Sequence, residues 1–80
     1  MKAWTYLTSP KNGPYWQSGG TPIILLEYPD GQLEWRLVST GGVYRGASTP
    51  ISGHKGALLP RRYWPAWYAD LDENAMDEGL

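Results

Sequence analysis

From Thr21 to Gly46 the chain reads TPIILLEYPDGQLEWRLVSTGGVYRG, and its order of apolar and polar positions predicts two strands, a tight turn and a short third strand. Ile23 to Tyr28 is apolar on both faces: Ile23, Leu25 and Glu27 point one way, and Ile24, Leu26 and Tyr28 the other. Such a strand belongs inside a sheet. Leu33 to Val38 alternates, with Leu33, Trp35 and Leu37 on one face and Gln32, Glu34 and Arg36 on the other, so one of its faces should meet water.

Pro29-Asp30-Gly31 joins them. A two-residue Asp30-Gly31 loop would set Tyr28, Leu26 and Ile24 opposite Leu33, Trp35 and Leu37, but it needs a backbone N–H from Pro29, which has none. A three-residue loop with a bulge at Gly31 avoids this. It predicts Leu25 opposite Trp35 and Ile23 opposite Leu37, and leaves Ile24, Leu26 and Tyr28 on a second face beside Glu34 and Arg36. Another part of the chain or a partner must cover that face.

Met1 to Leu7 suits a first strand, with Lys2, Trp4 and Tyr6 on one face. Thr8 to Pro22 holds Pro10, Asn12-Gly13, Pro14, Gly19-Gly20 and Pro22, and so reads as a long loop pinned by Tyr15 and Trp16 or presenting them at its tip. Thr40-Gly41-Gly42 makes a turn, Val43 to Ala47 returns as a short strand, and Ser48 to Pro60 is irregular. Trp64, Tyr68, Leu71 and Ala75 follow helical spacing, with Pro65 in the first turn. The expected fold is mainly β: an antiparallel β-meander or small barrel of three to five strands over residues 1–69. A short C-terminal helix or acidic tail over 70–80 completes it, α+β being the variant with a larger helical share.

Composition narrows the chemistry. Eighty residues make one small domain, for which a second copy or a partner adds needed burial, so monomer and homodimer are both expected states. The absence of cysteine excludes disulfides and thiolate metal sites and suits a reducing cytoplasm. No apolar run reaches the roughly 20 residues that span a bilayer, and the N-terminal stretch lacks the apolar core of a cleaved signal, so a soluble protein is expected. His54 follows Ser48, Thr49 and Ser52 without a nearby acidic orienter, and neither metal-ligand spacing nor a phosphate-binding glycine loop occurs. These patterns predict no catalysis, no metal and no cofactor.

Charge is polarised: residues 1–69 carry seven bases and three acids, and residues 70–80 carry five acids and no base. Arg45, Lys55, Arg61 and Arg62 near Trp64 fit a nucleic-acid surface in which cations meet phosphates and rings stack on bases. Five Trp and six Tyr without a single Phe point to contact surfaces, because these rings combine apolar area with a polar tip. The expected partner-binding patch is Ile24, Leu26, Tyr28 and Arg36, joined by Tyr15 and Trp16. In general character the chain resembles the small proteins that phages and mobile elements encode to block host machines, anti-CRISPR proteins among them. That resemblance rests on size and composition and implies a protein-binding inhibitor. Nucleic-acid binding is the alternative.

Overall fold

A computed structural model describes residues 1–6 and 14–72. Its strands are β1 (Lys2–Thr5), β2 (Trp16–Ser18), β3 (Thr21–Glu27), β4 (Leu33–Leu37) and β5 (Ala57–Leu58), and one short helix, α1 (Ala66–Asp72), follows near the C-terminus. The strands form a single antiparallel sheet around β3. One edge of β3 carries two strands end to end, β2 along its first half and β1 along its second, while β4 occupies the other edge and β5 extends β1 outward.

The β3–β4 hairpin has the expected register, Ile23 opposite Leu37 and Leu25 opposite Trp35. The Tyr28 N–H bonds to the Gln32 C=O at 2.9 Å and the Gly31 N–H returns to the Tyr28 C=O at 2.8 Å, which makes Pro29-Asp30-Gly31 a three-residue loop. Gly31 sits at φ +92°. Asp30 accepts the Gln32 N–H at 3.0 Å.

Three expectations about the flanking segments need correction. Trp16–Ser18 is a strand and not loop, because Gly19 and Gly20, at φ +58° and +88°, form the two-residue turn whose twist matches a hairpin. Residues 7–13 of the expected loop lie outside the described residues. Val43 does not begin a strand: it makes one bridge to Arg36, after which the chain leaves the sheet. Ala57–Leu58, placed in an irregular segment, pairs with β1. The helix begins at Ala66, with the Pro65 C=O accepting the Tyr68 and Ala69 N–H groups, and reaches Asp72. Of the acidic stretch, residues 73–80 lie outside the described residues.

Both faces of the sheet are covered by the chain itself. On one face Ala3, Ile24 and Leu26 pack with Leu59 and Tyr68, and Tyr63, Trp64 and Trp67 close the rim. On the other, Ile23, Leu25 and Trp35 pack with Trp4, Trp16, Tyr44 and Ala47. Thr5 is 1% exposed, and its hydroxyl has no partner among the described residues.

Candidate binding cleft

β4 is an edge strand for part of its length, and its hydrogen-bonding rhythm decides which groups face outward. Glu34 and Arg36 turn their main-chain groups towards Leu26 and Ile24 of β3, so those of Leu33, Trp35 and Leu37 point away. The Leu37 N–H meets the Gly42 C=O at 2.8 Å and the Trp35 C=O accepts the Tyr44 N–H at 2.9 Å. There the pairing stops. Among the described residues, the Trp35 N–H and both main-chain groups of Leu33 have no partner.

The chain departs here for local reasons. The Trp35 indole donates to the Ser48 C=O at 2.9 Å and draws the following segment across the face of the sheet, while the Tyr44 hydroxyl reaches Ser18 on β2 at 3.1 Å. Gly46 permits the crossing, since a Cβ there would lie 2.5 Å from the Tyr44 oxygen. Between the open edge and the departing segment lies a cleft of about 340 Å³, with Leu33 and Trp35 on one wall and Arg45, Thr49 and Pro50 on the other. That volume falls within the range of ligand-binding clefts. Val43 and Ile51 flank the departing segment as exposed apolar side chains, 41% and 58% accessible.

Charge at the cleft is unevenly satisfied. Glu34 accepts the Tyr28 hydroxyl at 2.6 Å and Arg36 Nε at 3.0 Å, and these bonds, the Tyr28 one first, hold its carboxyl below the usual range. Arg36 also reaches the Tyr28 oxygen at 2.8 Å and the Gly41 C=O at 2.8 Å. Burial, and then the bond to Glu34, push the Tyr28 phenol up. Arg45 is exposed and makes no hydrogen bond or ion pair among the described residues, acting on Glu34 through its charge alone.

The partner patch expected from sequence is not assembled. Ile24 and Leu26 are 0% exposed, sealed by Leu59, Tyr68 and the indoles of the C-terminal segment, so they offer no contact surface. Tyr28 and Arg36 are occupied with Glu34. Tyr15 and Trp16 lie on opposite faces and pin their segment: the Tyr15 hydroxyl donates to the Tyr63 C=O at 2.9 Å, and the Trp16 indole to the His54 C=O at 3.2 Å.

The nucleic-acid set is also dispersed and does not share one exposed face. Arg61 lies over Trp64 and Arg62 over Tyr63 on one side of the sheet, whereas Lys55 lies over Trp4 and pairs with Glu27 at 3.4 Å on the other. Arg45 stands apart at the cleft. Lys55, Arg61 and Arg62 each cover a ring face on which a base would stack.

His54 sits against Trp16 and Trp35, with ring centres 5.3 and 5.1 Å away, and its Nδ1 accepts the Ile51 N–H at 3.0 Å. That nitrogen therefore serves the local turn. No group of three His, Asp or Glu side chains among the described residues is arranged to hold a metal ion, and no helix among them is long and apolar enough to cross a membrane. Set beside protein-family models, curated proteins and solved structures, the chain matches none of them.

Sequence reasoning missed Leu33, Val43, Thr49 and Pro50 as surface features. A signal was present: Gly46 directly after Tyr44-Arg45, with Pro50 beyond, marks a chain that cannot stay paired along β4.

Proposed function

We propose that this chain is a non-enzymatic protein-binding module whose contact surface is the cleft along β4. The supporting observation is the open edge at Leu33 and Trp35, with a cleft of mixed polarity beside it and an Arg45 that is unpaired among the described residues. Exposed strand edges recruit other chains unless they are blocked, and this one is blunted only by its short length and charged flank. Inhibition of a host machine is the finer form of the same proposal, supported by the chain's likeness in size and composition to phage-encoded blockers.

Affinity capture from host lysate, with and without nuclease, tests the reading when the chain is compared with a Val43→Asp/Arg45→Glu variant of unchanged circular dichroism. One stoichiometric protein that survives nuclease and is lost with the variant is the expected result. Loss of every partner on nuclease treatment would move the reading to nucleic acid. Capture indifferent to the variant would remove the cleft.

A further inference from the structure

Resting on the protein-binding reading, we infer that the occupant of the cleft is a short extended segment of a partner protein. It adds to β4 as a new strand, places one side chain in the cleft beside Trp35 and directs a carboxylate to Arg45. Three open main-chain groups set its length. The Leu33 N–H and C=O can exchange a pair of bonds with one residue of an added strand, and the Trp35 N–H takes a carbonyl from a residue further along. The Trp35 C=O is already used by Tyr44, so the added strand must end there. Recognition thus spans about three residues at roughly 3.3 Å each, with the flanks left free.

Side-chain chemistry follows from the register. A residue opposite Leu33 points to the same face as Leu33 and Trp35, into the cleft under Thr49 and Pro50. The wall there mixes apolar Leu33, Trp35 and Pro50 with polar Thr49 and Arg45, so it accepts a side chain without selecting one residue type. Beyond the strand, Glu34 is already held by Tyr28 and Arg36, whereas Arg45 has no partner among the described residues, so the uncompensated charge they place at the cleft is positive and favours an acidic flank.

Two β4 edges can also pair antiparallel through the open groups of Leu33, which sets Leu33 opposite Leu33 and Glu34 opposite Gln32, so a second copy of this chain is the competing occupant that the test separates.

The test is selection of the full chain against a bead library of randomised heptapeptides, with Arg45→Glu as the counter-selection, followed by amide NMR on the selected peptides. Expected are acidic, β-prone sequences that shift and protect the Leu33 and Trp35 amides. Affinity should fall about five-fold with Arg45→Glu, the scale of one exposed ion pair. It should fall about ten-fold when the peptide nitrogen facing Leu33 is methylated, the scale of one lost hydrogen bond. A library that yields nothing over the counter-selection overturns strand addition, as do binders indifferent to methylation. Protection of the same two amides by self-association without peptide overturns it in favour of a second copy. If the captured protein still depends on Val43 and Arg45 while no peptide is selected, strand addition falls and the protein-binding reading stands. If peptides bind as expected while nuclease removes every captured partner, the protein-binding reading falls instead.

Discussion

Trp35 fills the core beneath the departing segment and donates its indole N–H to the Ser48 carbonyl. The other indoles follow suit: Trp4 donates to Glu27, Trp16 to His54, Trp64 to Leu59 and Trp67 to Val38. Four of these five acceptors are main-chain carbonyls, which explains a chain with no Phe. Irregular segments leave carbonyls that no ladder satisfies, and a ring carrying a donor answers both burial and bonding. The sequence shows the aromatic excess but not its targets, because nothing local links Trp16 to residue 54, and the excess reads as contact surface. Trp35→Phe should retain most of the buried area, strand the Ser48 carbonyl and lower stability by about 1 kcal/mol in urea unfolding. Thr5→Val should act in the opposite sense. The buried hydroxyl has no partner among the described residues, so its replacement by a methyl group of similar shape should raise stability by about 1 kcal/mol in the same assay.

At the scale of elements, the β3–β4 register was legible because Pro29 removes a donor and so eliminates one of two pairings. β2 was not legible. Gly19-Gly20 resembles the other glycine and proline punctuation around it, and three strand residues, Trp16 to Ser18, offer too little alternation to stand out. The two-faced apolar pattern of β3 correctly demanded a cover on both sides, but sequence alone left open whether chain or partner supplied it. The segment from Leu59 through α1 supplies it on one side, and Trp67 fastens that segment to the turn after β4. Gly41 lies at φ +82° in that turn, and a Cβ would come within 2.7 Å of the Trp67 ring. Gly41→Ala should therefore cost about 2 kcal/mol or more, from backbone strain and a displaced indole together. Gly20→Ala makes the control: φ is +88° there with nothing near the new methyl, so the larger loss at position 41 measures the docking of α1.

For the molecule as a whole, charged side chains bind strands to covering segments, and this gives stability a defined pH dependence. Glu27 is held below its ordinary value first by the Trp4 indole and then by Lys55, as Glu34 is by Tyr28 and Arg36. A carboxyl lowered in the folded state contributes fully above its unfolded value near 4.5, and that contribution is lost as pH falls through the lowered value. Tyr15 and Tyr28 are raised, chiefly by burial, so their contribution is present below 10.0 and lost as pH rises through the raised values. Urea midpoints should accordingly form a plateau with an acid and an alkaline shoulder, and Glu34→Gln should shrink the acid one. The spread of indole bonds has a consequence in time as well. Each of these five protons can exchange with solvent only when its own acceptor, at residue 27, 38, 48, 54 or 59, lifts away. Five resolvable indole signals thus serve as five separate clocks, each timing the opening of one segment of a chain only 80 residues long.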